Sequence, residues 1–137
     1  MESSKNNAYR IHSHRKKTPV VLDTNFVMSC YTLGIYLEDI DSIVEEAHQI
    51  WVPQNVLDEL SRLHLRGKER EARDIMLQIL QRYPVLLLEG NVDKSLISFA
   101  RSTDCIICTN DKILRKKVQE LGRRVLFVRA RSHLVLE

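Results

Sequence analysis

The chain has 137 residues, 44% of them hydrophobic, and a formal net charge of +3. That length favours one domain around one core, and the apolar fraction excludes a disordered polyelectrolyte. No apolar stretch approaches the roughly 18 residues of a membrane span, and the polar, basic N-terminus lacks the apolar centre of a secretory signal.

Residues 1–18 show no hydrophobic periodicity and carry five Lys/Arg against one acid. They read as a flexible basic arm ahead of a folded domain at residues 19–137. Val20-Val21-Leu22 is a short β-branched run, the first predicted strand. Asn25 to about Leu33 is predicted helical, ended by Gly34. Residues 38–48 space Ile40, Ile43, Val44 and Ala47 as a helix does. Ile50-Trp51-Val52 is a second strand, closed by Pro53. Residues 54–66 predict an amphipathic helix stopped near Gly67, and residues 68–82 a second one. Val85 to Leu88 is a third strand before the Gly90-Asn91 turn, and Asp93 to Arg101 is predicted helical. Ile106-Ile107-Cys108 is a fourth strand. A basic helix follows from Asp111 to Leu121, then a fifth strand over Val125 to Val128 and a small one over Leu134 to Leu136.

Strands alternating with helices predict an α/β fold with a mainly parallel sheet covered on both faces. Parallel pairing requires connections of this length. The three cysteines, Cys30, Cys105 and Cys108, are few and odd in number. That favours free thiols in a reducing compartment. Cys105 and Cys108 lie within one strand-like run, facing opposite sides, so two buried thiols are expected rather than a zinc site.

Four acids, Asp23, Glu59, Asp93 and Asp111, each follow a predicted strand. In an open parallel sheet, sites form beyond the carboxyl ends of the strands, so all four gather at one edge. Glu59 lies one to two turns into its helix and can reach back to that edge; its neighbours Leu60 and Leu63 place its face close to buried. Asp93 and Asp111 also have a plainer role as acids at helix N-termini, worth ~0.3–1 kcal/mol each. Asp23 resists such a reading, because an unpaired carboxylate at the end of a buried strand is costly. A hard divalent cation with oxygen ligands is the simplest counter-charge. Asp104 precedes its strand and belongs at the opposite edge. The five histidines form no metal-ligand spacing. Residues 112–131 carry eight Lys/Arg against Glu120 alone, which suits a polyanionic partner.

Val21-Leu22-Asp23-Thr24-Asn25, Val56-Leu57-Asp58-Glu59-Leu60, Asp93 opening a helix, and Cys108-Thr109-Asn110-Asp111 with Lys112-Ile113-Leu114 together resemble the PIN-domain nucleases. The resemblance covers about residues 19–131. It implies a three-layer α/β/α sandwich and a Mg²⁺- or Mn²⁺-dependent endoribonuclease acting on single-stranded RNA in the cytoplasm, with homodimers frequent in the family. It assigns Asp23, Glu59, Asp93 and Asp111 as catalytic, metal-holding acids and Thr24, Asn25, Thr109 and Asn110 as polar helpers. Lys112, Arg115, Lys116 and Lys117 are then placed to hold flanking phosphates. The basic helix and the segment Val125 to Arg131 look most like the subgroup that processes ribosomal RNA precursors. Two alternatives stand beside it: a non-catalytic RNA-binding or assembly module on the same fold, and the toxin ribonuclease of a toxin–antitoxin pair. A phosphatase-like or receiver domain would want paired acids near the start and a lysine after a late strand, a set the chain lacks.

Overall fold

The computed structural model describes residues 16–137, so the basic arm expected over residues 1–18 lies almost wholly outside the described residues. The chain runs β1 (Thr18–Leu22), α1 (Thr24–Thr32), a 3₁₀ turn (Leu37–Asp39) leading into the short helix α2 (Ile40–Ile43), β2 (His48–Pro53), α3 (Gln54–Arg62), α4 (Gly67–Leu80), β3 (Val85–Leu86), α5 (Val92–Ser102), β4 (Ile106–Cys108), α6 (Lys112–Glu120), β5 (Arg124–Arg129) and β6 (His133–Leu136). No helix among the described residues is long and apolar enough to cross a membrane.

All six strands join one sheet in the order β3-β2-β1-β4-β5-β6. Every pairing is parallel except that of β6 with β5. With helices covering it, the sheet is the centre of the α/β/α sandwich predicted from the sequence. β1 lies in the middle, and Val20, Val21 and Leu22 are fully buried. Burial on both faces explains why that run shows no polar alternation. The chain moves from β1 to β2 on one side and later to β4 on the other. The order therefore reverses between β1 and β4, which opens a crevice at their carboxyl ends.

Three elements depart from the sequence-based expectation. First, α3 ends at Arg62 rather than near Gly67, and Gly67, at φ +59°, opens α4 instead. The reason lies further along the chain. The Arg73 guanidinium donates from Nη1 to the carbonyls of Leu60 (2.9 Å) and Leu63 (3.1 Å). Those carbonyls would otherwise need another helical turn. Second, the helix expected over residues 38–48 stops at Ile43, and His48 already belongs to β2. Glu46 is pinned by Arg124 (2.7 Å to each carboxylate oxygen) and by the Thr18 hydroxyl (2.7 Å), which holds the chain in a turn. Third, β3 leaves the sheet after Leu86, because the Leu88 amide bonds back to the Leu86 carbonyl at 2.8 Å and bends the chain.

The cysteines are all buried and unpaired. Burial pushes the Cys30 and Cys105 thiols up to about 12, which leaves them unreactive at neutral pH. Asp104 sits at the amino edge beside Arg123 (4.0 Å), away from the crevice.

Arg73 gives a test of this packing. Arg73→Met keeps the aliphatic stem and strands both carbonyls, so urea denaturation should show a loss of about 1–3 kcal/mol. Ile113→Ala, at a side chain 70% exposed, should stay within about 0.5 kcal/mol of the parent. Equal behaviour of the two variants would refute the capping role.

Candidate active site

The crevice is held open by sheet hydrogen bonds that continue past the strand ends. The Asp23 amide donates to the Cys108 carbonyl (3.0 Å), and the Thr109 amide to the Leu126 carbonyl (3.0 Å). Asp23 and Thr109 are thus fixed by backbone before any side chain acts. Asp23 is 3% exposed and Thr109 is fully buried. The Asp23 carboxylate accepts from the Thr24 amide (Oδ1, 2.9 Å) and from the Thr109 hydroxyl (Oδ2, 2.6 Å). The same hydroxyl accepts from the Asp111 amide at 3.1 Å. A chain of polarised bonds therefore runs from the Asp111 backbone through Thr109 to Asp23.

Asn25 and Asn110 bind the surrounding loops together. Asn25 Oδ1 accepts from the Asn110 amide at 3.1 Å, and Asn110 Oδ1 accepts from the Val128 amide at 3.0 Å. Asn25, Thr109 and Asn110 thus join one network around Asp23. Thr24 differs: it gives Asp23 its backbone amide, while its own hydroxyl is buried without a partner.

The other three acids stand on α3 (Glu59), in the first turn of α5 (Asp93) and at the start of α6 (Asp111). Asp111 caps α6, its Oδ1 accepting from the amides of Ile113 (2.8 Å) and Leu114 (3.1 Å). That leaves Oδ2 for another partner. Asp93 is the second residue of α5, but it does not cap the helix. Asn91 does so, its Oδ1 accepting from the Lys94 amide at 2.9 Å. The Asp93 carboxylate is accordingly uncommitted. Glu59 is exposed rather than close to buried, because α3 has ended at Arg62, before the turn that would bring Leu63 over it.

These acids act on one another electrostatically. Burial pushes the Asp23 carboxyl up from the usual 3.8 to about 6; the bonds from Thr109 and Thr24 oppose this, and the charges of Asp93 and Glu59 add to it. The Asp93 carboxyl is also raised, first by partial burial, then by Asp111 and Glu59, with Lys117 pulling it back. None of the ion pairs among the described residues involves Asp23, Glu59, Asp93 or Asp111. The donor set is all carboxylate oxygen, which suits a hard divalent ion. No three His, Cys, Asp or Glu side chains among the described residues close into a ready ligand group. The fit is thus one of charge and donor chemistry.

Of the four cationic side chains expected beside the site, Lys112, Lys116 and Lys117 are exposed on α6. Arg115 lies over the Phe127 ring at 4.0 Å. On the far side, a groove of about 840 Å³ runs between α3 and the loop into α5, lined by Asn55, Glu59, Arg62, Leu88 and Asn91 among others. Asn55 is 6% exposed and was not singled out from the sequence. Its only signal there is an amide beside Val56 on an otherwise apolar face.

Comparison with known proteins agrees with this architecture. A family model described as a PIN like domain matches residues 20–131. The chain belongs to that family. Ribonuclease VapC9 of Archaeoglobus fulgidus is 31% identical over 123 residues, covering 85% of this chain and 87% of the relative. Ribonuclease VapC4 of Methanocaldococcus jannaschii is 27% identical over 121 residues, covering 83% and 92%. Among solved structures, the PIN domain endonuclease Utp24 superposes with a TM-score of 0.72 at 22% identity, covering 87% of this chain and 90% of that one. The last likeness is one of fold.

For this PIN-like chain the raised Asp23 value sets the sign of a pH effect. The native state holds that proton more tightly than the unfolded chain does. Its contribution to stability is therefore fully present below about pH 4 and is lost as pH rises through about 6. A shift of this size corresponds to about 3 kcal/mol. Asp23→Asn should stabilise the chelator-treated protein at about pH 7.5 by up to that amount, with the gain vanishing near pH 4 in denaturant titrations. A gain independent of pH would exclude the buried charge as its cause.

Proposed function

We propose that this chain is a divalent-metal-dependent endoribonuclease that cleaves single-stranded RNA, with its working carboxylates at Asp23, Glu59, Asp93 and Asp111. The observation that carries this reading is Asp23. It is a carboxylate buried at the switch point of the sheet, repelled by Asp93 and Glu59, and no ion pair among the described residues reaches it. A protein that only bound RNA would have no use for such a charge.

Asp23 is the central ligand in this reading, with Asp93 and the free Oδ2 of Asp111 completing the hold on Mg²⁺ or Mn²⁺; both ions accept carboxylate oxygen. A bound divalent ion supplies charge neutralisation at the phosphate and a lowered pKa for water. The protein's own groups do the rest. Thr109 and the Thr24 amide fix the plane of the Asp23 carboxylate. Asn25 and Asn110 keep the loop bearing Asp111 against β5. Glu59, exposed at the rim, orients the attacking water or holds a second ion. Lys112, Lys116 and Lys117 hold the flanking phosphates, and Arg115 supports them from Phe127.

The two VapC ribonucleases favour the toxin branch of the family over ribosomal RNA processing. Likeness to Utp24 supports the fold and adds nothing on substrate. We therefore infer a toxin-type ribonuclease. We assign it to the cytoplasm, where three buried free thiols persist.

Two measurements test this. Cleavage of labelled single-stranded RNA in Mn²⁺ should fall at least ~100-fold in Asp23→Asn and stop with chelator. Expression in a host cell should arrest growth with the parent and not with the variant. An inactive parent across substrates would refute the enzyme reading, and cleavage indifferent to chelator would refute its dependence on a divalent ion. An active parent that leaves growth untouched would refute the toxin branch alone.

A further inference from the structure

The helices bearing Glu59 and Asp93 make little direct contact with each other. What links them is one buried amide. Asn55 Nδ2 donates to Ser95 Oγ (2.8 Å) on α5 and to the Gly90 carbonyl (3.3 Å) in the loop that leads into α5. Ser95 is itself fixed, its hydroxyl donating to the Val92 carbonyl at 2.8 Å. Because the Gly90 carbonyl can only accept, the nitrogen of the Asn55 amide must face it. Asn55 Oδ1 is then buried with no partner. An apolar residue of the same shape would remove that orphan together with the two bonds the amide donates, so the net contribution of the amide to stability is small.

Its position suggests another reason. Asn55 and Glu59 are four residues apart on α3 and so share a face. Ser95 and Asp93 both lie in the first turn of α5. We propose that the Asn55–Ser95 hydrogen bond is a positioning tie that sets the separation of Glu59 and Asp93 across the crevice. The assignment rests on reading those two acids as working carboxylates. Asn55 and Ser95 are positioning residues and touch neither substrate nor ion.

The experiment compares the full-length parent with Asn55→Leu, Ser95→Ala and Ser95→Thr. It measures kcat and KM on labelled single-stranded RNA, Mn²⁺ binding by calorimetry without RNA, and the thermal midpoint. Asn55→Leu and Ser95→Ala should each lower kcat by about tenfold or more with KM within about twofold, because small misplacements of reacting groups have large effects on rate. Mn²⁺ affinity should weaken severalfold in both. The midpoint of Asn55→Leu should stay within a few degrees of the parent's, and Ser95→Thr, which keeps the hydroxyl, should restore kcat and Mn²⁺ affinity. Parent-like kcat and Mn²⁺ affinity in Asn55→Leu overturns the tie while leaving the nuclease reading intact. So does a loss of kcat that only follows a lowered midpoint. A parent that neither cleaves RNA nor binds Mn²⁺ overturns the nuclease reading and the tie with it.

Discussion

A carboxylate without a counter-charge organises the carboxyl edge of this sheet. Asp23 ends the central strand, where neighbouring strands and helices exclude nearly all water. Two hydrogen bonds favour its charge, yet burial outweighs them and holds its carboxyl at about 6. Asp93 and Glu59 make matters worse, and no arginine or lysine among the described residues pairs with it. Such a group is relieved in one of two ways, by a proton at low pH or by a cation at neutral pH. Proteins tolerate a local cost of this kind at functional sites, where activity and stability pull in opposite directions.

The surrounding polar groups make sense as the means of holding that charge still. Thr109 connects Asp23 to the backbone of Asp111, so the two acids cannot shift independently. Asn25 and Asn110 join the loops after β1 and β4 to β5. Apart from the local Thr109–Asp111 bond, these bonds join residues delivered by separate strands, so the site inherits the rigidity of the sheet rather than the mobility of loops. α6 contributes twice: its N-terminus receives one oxygen of Asp111, and its exposed lysines offer positive charge just beyond the acids. The result is a negative centre with a positive flank, the charge pattern that a metal ion and a nucleic acid backbone would together neutralise.

Much of this was legible in the sequence, for physical reasons that differ by element. Ile106-Ile107-Cys108 could be placed because a fully buried parallel strand is a short apolar run and little else does the same. The acids were expected together because parallel order sends every strand end to one edge. The early end of α3 was hidden, since Arg73 caps it from within the following helix. Glu59 was misjudged for the same reason: Leu63 was taken as its helical neighbour after the helix had already finished. The stop of β3 lay in a local turn at Leu86–Leu88 that apolar patterning does not reveal. Asn55 was invisible because its partner Ser95 is forty residues away, and an isolated amide on an apolar face does not name its partner.

The central claim is that the Asp23 carboxylate is short of positive charge until an ion supplies it. Carboxyl-carbon NMR of the chelator-treated protein, followed through pH and then repeated at saturating Mg²⁺, measures this at the atom concerned. The expected midpoint for Asp23 is about 6 without the ion, falling below the usual 3.8 when Mg²⁺ is present. A midpoint at the ordinary value in the free protein, or one that Mg²⁺ leaves unchanged, would contradict it.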